Sequence, residues 1–296
     1  MLAAVIVTFR PPEGMLARAV DSVLDGGGVD LVVVVDNGNL ATRVLGTRLQ
    51  RTEGCRVEVL QSPENLGFGA GANVGFRRCL AAGASFVALL NDDLHVDPDW
   101  TVPLMAAMQA NPRLGAVQPK LLFADSHPPR VNSVGVSLDR FGAGNDIGID
   151  ELDGPSFVDA ADIEMFTGGA VLFRREFLDD TKMFDEHWFL YYEDVDLALR
   201  GARLGWRYRC EPSSVVWHHG SASAVSLGAR TRFLQERNRL WALARHGSLR
   251  SMCRGLLLSV RRLRHAPREA HAKALFSGVA GMPREWWHRL LRSQGT

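Results

Sequence analysis

One stretch of the chain indicates both the fold class and a site: Ser85-Phe86-Val87-Ala88-Leu89-Leu90-Asn91-Asp92-Asp93-Leu94. The run from Phe86 to Leu90 carries no charge, which is typical of a parallel strand covered on both faces. Open α/β sheets bind ligands beyond the carboxyl ends of such strands, where Asp92 and Asp93 stand. The stretch therefore predicts an α/β fold with a ligand site at this strand end.

The two carboxylates allow two interpretations. Adjacent carboxylates repel each other unless a cation lies near them, and Mg²⁺ usually takes one or two carboxylates together with substrate phosphates. On that basis Asp92 and Asp93 belong to a metal–diphosphate site. The alternative is a polar turn that ends the strand and caps the next helix. This stretch alone does not separate the two.

Strand and helix patterns alternate through roughly the first 120 residues. Apolar runs predict strands, and helical spacing predicts helices, in the order strand 3–9, helix 13–25, strand 31–35, helix about 41–51, strand 56–60, helix 70–82, strand 86–90 and helix 100–110. Such alternation indicates a mainly parallel sheet with helices on both faces. Right-handed crossovers then place Thr8, Asp36 and Asp93 along one rim of that sheet.

The rest of the chain is less regular. Residues 125–162 are rich in Gly, Pro, Ser and Asp, and predict a long loop. Beyond them the patterns predict strands at 167–175, 208–209 and 215–217, a helix at 195–204, and Arg-rich helices from Arg230 onward. We expect one domain with an inserted loop, because residues 167–217 contain too little regular structure for a core of their own.

The composition is that of a folded protein, with 46% apolar and 23% charged residues. The net charge is +1, but residues 249–296 carry ten Lys or Arg against Glu269 and Glu285, so an acidic body precedes a basic tail. Four scattered cysteines without a Cys-x-x-Cys pair predict reduced thiols, with neither a zinc site nor disulfides. Nucleic acid is not among the predicted partners.

The expected location is cytoplasmic. The first residues run directly into a strand pattern without a basic leader, so we expect no signal peptide. No window reaches the roughly 20 apolar residues of a membrane span. In the tail, residues 249–263 combine Leu and Val with four arginines, which suits peripheral contact with the inner face of an anionic membrane. The alternative is a helix that packs on the body or on a second subunit.

A glycine-rich stretch, Asn65-Leu66-Gly67-Phe68-Gly69-Ala70-Gly71-Ala72-Asn73, opens the third predicted helix. Its glycines match a dinucleotide-binding fingerprint, but that fingerprint belongs after the first strand of such a fold, so we do not predict a nicotinamide or flavin cofactor. Glycines also let a backbone approach a ligand closely, and helix N-termini suit anions. The alternative is a loop that packs against the sheet.

Three other positions have a functional and a structural interpretation each. Asp36 either accepts hydrogen bonds from a base or ribose or is a turn residue. Asp194, with Glu193 beside it, is either a general base near aromatic side chains or a helix cap. His218 is either a metal ligand or a structural histidine.

Taken in order along the chain, these motifs resemble the family 2 glycosyltransferases of the GT-A nucleotide-sugar-binding (Rossmann-like) fold. The resemblance covers residues 3–245 and is strongest to bacterial rhamnosyltransferases and related polysaccharide enzymes. The motifs that carry it are Val5-Ile6-Val7-Thr8-Phe9, Val34-Val35-Asp36-Asn37-Gly38, the stretch 65–75, Leu89-Leu90-Asn91-Asp92-Asp93, Thr167-Gly168-Gly169-Ala170, Phe184-Asp185-Glu186, the stretch 189–197 and Trp217-His218.

The resemblance implies a role for each matching residue. On the nucleotide-sugar side it places Thr8, Asp36, Asn65, Gly67, Asn73, Asn91 and Asp92. As ligands of Mg²⁺ or Mn²⁺ it implies Asp93 and His218, and on the acceptor side Gly168, Gly169 and Tyr192. Asp194 takes the place of the catalytic base, with Glu193 beside it. The motif here is Asn-Asp-Asp rather than Asp-x-Asp, so a second direct carboxylate ligand is not implied.

The implied function is transfer of a sugar, with inversion, from a nucleoside-diphosphate sugar to a cell-envelope saccharide or lipid-linked acceptor. Resemblance alone suggests deoxythymidine-diphosphate-rhamnose as the donor. The nucleotide-binding half would span about 1–122, the acceptor half about 123–245, and a basic helical tail 246–296. The alternatives are a non-catalytic nucleotide-sugar binder and a nucleotidyltransferase on a related fold.

Overall fold

The computed structural model describes residues 1–46, 54–219, 228–265 and 267–293. The strands are β1 (Leu2–Thr8), β2 (Leu31–Asp36), β3 (Arg56–Gln61), β4 (Phe86–Asn91), β5 (Leu94–Val96), β6 (Leu114–Phe123), β7 (Val131–Ser133), β8 (Val136–Leu138), β9 (Gly144–Asp146), β10 (Ala161–Ile163), β11 (Ala170–Arg174) and β12 (Arg207–His218). The helices are α1 (Met15–Asp25), α2 (Ala41–Leu45), α3 (Phe68–Ala81), α4 (Thr101–Ala110), α5 (Arg175–Thr181), α6 (Glu193–Arg203), α7 (Ala229–His246), α8 (Leu249–Arg262) and α9 (Arg268–Ser293). The α/β class and the helical C-terminal region are as predicted, and residues 47–51 of the second predicted helix lie outside the described ranges.

The main sheet is mixed, with the order β10-β12-β6-β11-β4-β1-β2-β3 and with β5 and β7 paired beside β12 and β6. Strands β1 to β4 run parallel to one another, as the unbroken apolar runs of β1, β2 and β4 predict. Strand β11 lies antiparallel between β4 and β6 and joins this parallel part to the β6–β12 pair. The sheet is therefore less parallel than the alternation of patterns predicts.

The register of the parallel strands places their polar ends side by side. Thr8 of β1 lies opposite Asp36 of β2, and Val7 lies opposite Asn91 of β4. Side chains of β1 and β2 are buried on both faces of the sheet. Helices α3, α5 and α6 cover one face and α1, α2 and α4 the other, each with its own apolar cluster. The polar rim of β1, β2 and β4 is consequently held by a well-packed frame.

Strand β6 is absent from the sequence expectation. Its ten residues are almost entirely buried, yet Gln118, Pro119 and Lys120 interrupt the apolar pattern. Gln118 donates to Ser133 and accepts from the backbone N–H of Thr167, and Lys120 donates to Asp153 at 2.9 Å. These partners satisfy the buried polar groups, which is why a central strand can contain them. Likewise β12 is one strand with an irregularity between Glu211 and Val215, where two were predicted.

The segment 125–162 is more ordered than the predicted loop. It contains β7, β8, β9 and β10, with β8 and β9 paired as a small separate sheet and a 3₁₀ turn at Pro155–Phe157. Each of these strands has only three residues, and therefore leaves a weak pattern in the sequence. Asn132 of β7 and Asp146 of β9 lie in the wall of the cavity described below.

The C-terminal helices pack on the body. Arg245 of α7 is fully buried, and its guanidinium donates to Asp185, Asp196 of α6 and Glu285 of α9 at 2.6–2.9 Å. Glycines 278 and 281 of α9 lie against Leu240 and Trp241 of α7, where an added methyl group would collide. The basic tail is thus joined to the helix that carries Asp194. None of the described helices is long and apolar enough to cross a membrane.

Candidate active site

A cavity of about 990 Å³ opens at the carboxyl ends of β1 and β4 and extends to the C-terminal helices. This volume is at the upper end of the range for small-molecule sites. Of the residues predicted from the sequence, those that line it are Asn65, Gly67, Asn91, Asp92, Asp93, Gly168, Gly169, Tyr192, Glu193, Asp194 and His218. The structure therefore brings together side chains that are up to 153 positions apart in the sequence.

Asp93 and His218 are in direct contact. Nε2 of His218 lies 3.0 Å from Oδ1 of Asp93, and its Nδ1 lies 3.0 Å from Oδ1 of Asn132. The pairing of β12 with β5 sets this contact, because His218 lies opposite Leu94, the neighbour of Asp93. Asn132 holds the second ring nitrogen, a role that no sequence motif indicates. Such an outer partner fixes the orientation of a ligating imidazole.

This pair suits a divalent cation in its chemistry. A carboxylate oxygen and an imidazole nitrogen converge there, and Mn²⁺ and related ions accept both. Within the described residues no group of three or more His, Cys, Asp or Glu forms a complete metal cage. Two protein ligands are nonetheless enough for an ion that takes its other ligands from substrate phosphates and water. The residues present fit a cation that binds together with a diphosphate.

Asp92 points back to the sheet. Oγ1 of Thr8 donates to its Oδ2 at 2.6 Å, and burial raises the pKa of Asp92 to about 6 in spite of that hydrogen bond. Thr8 itself is buried beneath the cavity and does not line it. Thr8 therefore fixes the carboxylate of Asp92 through this hydrogen bond without facing the cavity itself.

Asp36 and Asn73 also lie outside the cavity lining. The carboxylate of Asp36 accepts from the backbone N–H groups of Gly38 and Ala41, at 2.9 and 2.7 Å, as a turn residue would. The neighbour of Asp36, Asn37, lines the cavity instead, and its Oδ1 is buried without a partner among the described residues. Sequence reasoning selected the aspartate and passed over this asparagine.

The side chain of Asn73 is used within the fold. Its amide accepts from the N–H of Phe184 at 3.0 Å and donates to the carbonyl of the same residue at 2.9 Å. A further hydrogen bond runs to Glu186. Asn73 thus fastens α3 to the segment that leads into the predicted base, rather than facing the cavity.

Glu193 and Asp194 form the first turn of α6 and lie in the cavity wall. Oδ2 of Asp194 accepts from the N–H of Gly168 at 3.0 Å, and Oδ1 from the N–H of Val195 at 2.8 Å. Burial raises the pKa of Asp194 despite these hydrogen bonds. Burial and the charge of Asp194 also raise the pKa of Glu193, whose Oε2 has no partner in the described structure. A carboxylate with a raised pKa is a suitable proton acceptor.

The loop before these carboxylates has an unusual backbone. Phe189, Tyr191 and Tyr192 all have φ between 68° and 71°, a region that bulky residues seldom occupy. Nδ2 of Asn238 lies 2.7–3.1 Å from the carbonyl oxygens of Trp188, Leu190 and Tyr191. Strained backbone of this kind is typical of functional sites and persists when its surroundings hold it. Asn238 was not predicted, and no local motif identifies it.

Gly67 allows this loop to approach the glycine-rich segment. Its φ is 86°, and a Cβ at this position would collide with the carbonyl oxygen of Phe189. The N–H of Phe68, the first residue of α3, donates to that same oxygen at 2.7 Å. The glycine therefore serves a close approach of two backbones at the start of a helix that faces the cavity.

Comparison with solved structures supports the GT-A fold. The chain superposes on GalNAc-T7 with UDP, GalNAc and Mn²⁺ at a TM-score of 0.69 and 14% identity, over 93% of this chain and 54% of that one. It superposes on the mannosyltransferase PcManGT from Pyrobaculum calidifontis, in complex with GDP-Man and Mn²⁺, at 0.56 and 14%, over 95% and 86%. At these identities the likeness concerns the fold.

Sequence comparison gives a closer relationship. The chain is 36% identical over 84 residues to the N-acetylglucosaminyl-diphospho-decaprenol L-rhamnosyltransferase of Mycobacterium tuberculosis. The aligned region covers 25% of this chain and 27% of that protein. The chain spans about a quarter or less of the length of the curated relatives it matches. The model of glycosyl transferase family 2 matches residues 3–181. Since that match covers more than half of the chain, the protein belongs to glycosyltransferase family 2.

Proposed function

We propose that the protein is an inverting glycosyltransferase that uses a nucleoside-diphosphate sugar. The observation that carries this proposal is the position of Asp93, His218 and Asp194 in the wall of one cavity. Donor diphosphate and acceptor hydroxyl must meet in one place, and this arrangement provides a cation-binding pair and a proton acceptor together. A non-catalytic binder has no use for a buried carboxylate at the position of Asp194.

Asp93 and His218 would hold Mg²⁺ or Mn²⁺, and the names of both solved neighbours include Mn²⁺. The cation would neutralise charge on the donor diphosphate. Asn37, Asn65 and Gly67 line the adjoining wall, where amide groups and exposed backbone can contact the nucleotide. Asp92, supported by Thr8, lies beside them.

Asp194 acts on the acceptor. It takes the proton of the acceptor hydroxyl as that oxygen forms a bond to the anomeric carbon of the donor. The bond from the same carbon to the diphosphate breaks, and the nucleoside diphosphate leaves with that electron pair. The N–H of Gly168 fixes the orientation of the carboxylate through Oδ2. Attack from the face opposite the leaving group gives inversion.

Rhamnose is the proposed sugar, and deoxythymidine-diphosphate-rhamnose the proposed donor. Support comes from the motifs of the sequence and from the rhamnosyltransferase name of one relative. That name also supports a lipid-linked saccharide as the acceptor class. Tyr192 is the residue proposed to contact the acceptor sugar, and its position in the cavity wall next to Glu193 supports this role.

A thermal-shift screen of nucleoside-diphosphate sugars, each with and without Mn²⁺, tests the donor proposal. We expect one nucleotide sugar to raise the melting temperature, and more so with Mn²⁺. Donor hydrolysis and sugar transfer are then assayed with that compound, and the anomeric configuration of the product is determined by NMR. Stabilisation without any turnover would favour a pure binder, and retention of configuration would contradict the role of Asp194.

The C-terminal helices also support peripheral membrane contact. Leu257 and Val260 of α8 and Phe276 of α9 are 52%, 51% and 79% exposed, among exposed arginines. Exposed apolar and cationic side chains together suit an anionic lipid surface. Deleting these helices would also remove the Arg245–Glu285 contact, so point substitutions are the better test.

Flotation with vesicles containing phosphatidylglycerol compares the wild type with a Leu257→Ser/Phe276→Ser variant. We expect the wild type to float and the variant to stay in the dense fraction. Val102→Ser on α4, which is 60% exposed, is the matched control and should float like the wild type. Equal flotation of all three proteins, or none, would remove the membrane proposal.

A further inference from the structure

Most of the ionisable side chains that line the cavity fall into two groups. The acidic group, near His218, contains Asp92, Asp93, Asp146, Glu193 and Asp194. The second group comes from the C-terminal helices, and we call it the basic cluster: Arg232 of α7, Arg262 of α8, His265 after α8 and His271 of α9. The proposed chemistry uses the acidic group only. The basic cluster therefore needs an explanation of its own.

Tyr192 lies between the two groups. Its hydroxyl donates to the carbonyl of Gly142, and the residue directly precedes Glu193 and Asp194. Burial raises the pKa of Tyr192 to about 12, while the nearby charges of Arg239 and Arg262 oppose the rise. Arg262 is thus close to the tyrosine that adjoins the base. The basic cluster therefore lies on the Tyr192 side of Asp194, which is the side where the proposed function puts the acceptor.

The positive charge of the cluster is only partly compensated. Arg262 and Arg239 share one carboxylate, that of Glu236. Arg232 is exposed, and no carboxylate among the described residues pairs with it. His271 is 9% exposed, and in the described part of the chain its Nδ1 has no hydrogen-bond partner. A buried imidazole nitrogen without a partner, near the unpaired guanidinium group of Arg232, leaves this wall able to bind an anionic ligand.

We infer that the basic cluster binds a phosphate or diphosphate group of the acceptor, such as one that joins a saccharide to a lipid carrier. This inference rests on the proposed function and specifies its acceptor. Guanidinium groups bind phosphate through paired hydrogen bonds, whereas a neutral sugar leaves their charge unmatched. The donor diphosphate belongs with the acidic group, because it needs a cation to approach carboxylates. The exposed apolar residues on the same helices suit a lipid chain.

Calorimetric titration with inorganic pyrophosphate in EDTA tests the inference without turnover. Without a divalent cation the acidic group repels the probe, so binding reports the basic cluster. We expect one site in the wild type and about tenfold weaker binding in Arg232→Gln, since a charge-assisted contact is lost. Arg261→Gln is the matched control: Arg261 is exposed on α8 and does not line the cavity. Its affinity should equal that of the wild type.

Two results would overturn the inference. One is the absence of pyrophosphate binding by the wild type, or equal binding by Arg232→Gln. The other is a rise in the KM for the donor, measured by donor hydrolysis in Arg232→Gln, that matches the loss of pyrophosphate affinity, because the cluster would then serve the donor diphosphate. Failure of the proposed function itself appears differently, as absence of donor hydrolysis by the wild type with Mn²⁺.

Discussion

His218 Nε2 lies 3.0 Å from Asp93 Oδ1 although 125 residues separate the two in the chain. The short pairing of β5 with β12 produces this contact, and the N–H of His219 strengthens it by donating to the carbonyl of Asp93 at 2.9 Å. The proposed cation site therefore depends on the end of one strand, β12. It can therefore be removed by a single side-chain change that leaves the strand pairing intact.

His218→Ala should abolish most of the stabilisation that Mn²⁺ gives in the presence of the donor, because one of two protein ligands is lost. We expect the Mn²⁺ concentration that gives half of the full thermal shift to rise by at least about tenfold. His219→Ala is the matched control, since that ring lies against His95 outside the cavity lining. Equal loss in both variants would show that strand pairing, not ligation, was disturbed.

Asp194→Asn should lower kcat by about 10²–10⁴-fold, the usual effect of removing a general base, with little change in donor affinity. The amide cannot accept the hydroxyl proton but has nearly the same shape. Steady-state transfer rates and donor titration measure the two quantities. Asp179→Asn, an exposed carboxylate on α5, should retain wild-type rates. Full activity of Asp194→Asn contradicts the assignment of the base.

Glu193→Gln should stabilise the protein above neutral pH. Burial and Asp194 raise the pKa of Glu193 to about 8 in the folded state, against 4.5 ordinarily. The folded state thus binds this proton more tightly than the unfolded state does. The contribution of protonated Glu193 to the stability of the fold is therefore complete below pH 4.5 and is lost as the pH rises through 8. Glutamine keeps the neutral form, and we expect a gain of about 1–3 kcal/mol at pH 8 and much less at pH 5.

Urea denaturation at both pH values measures this gain. Glu164→Gln, an exposed glutamate, serves as the control and should show no such pH dependence. A stability difference that is the same at pH 5 and pH 8 would mean that Glu193 is ionised in the folded protein throughout this range.

Arg245→Met should destabilise the protein by about 3–5 kcal/mol, because it leaves buried carboxylates without their cation. Glu285 is fully buried, and Arg245 is its partner. Arg254→Met, an exposed position on α8, should change the free energy of unfolding by less than about 0.5 kcal/mol. Adding Glu285→Gln to Arg245→Met should recover part of the loss. If the double variant is no more stable than Arg245→Met, the unpaired charge of Glu285 is not the cause of the loss.

Parts of the structure follow from local patterns and parts do not. The central parallel strands were predictable because apolar residues fill them without interruption, as Leu and Val do in residues 31–35 of β2. Strand β6 was not, since Gln118 and Lys120 are buried through partners that lie far away in the sequence. Local pattern records which residues are apolar, but it does not record which polar groups find a partner in the fold.

The same distinction applies to the site. Motif resemblance selected Asp93, Asp194 and His218, and the cavity contains all three. It did not select Asn132 or Asn238, because each acts by holding another residue rather than through a motif of its own. The left-handed backbone at Tyr191 and Tyr192 has no sequence signal at all, since glycine or asparagine is expected there.

The hydrogen bond from Phe68 to the carbonyl of Phe189 ties the start of α3 to the loop that leads into α6. The proposed donor side and the proposed acceptor side of the cavity are consequently connected by a main-chain hydrogen bond. We therefore expect any displacement of the beginning of α3, such as one caused by a bound nucleotide, to be passed on to the segment that leads to Asp194.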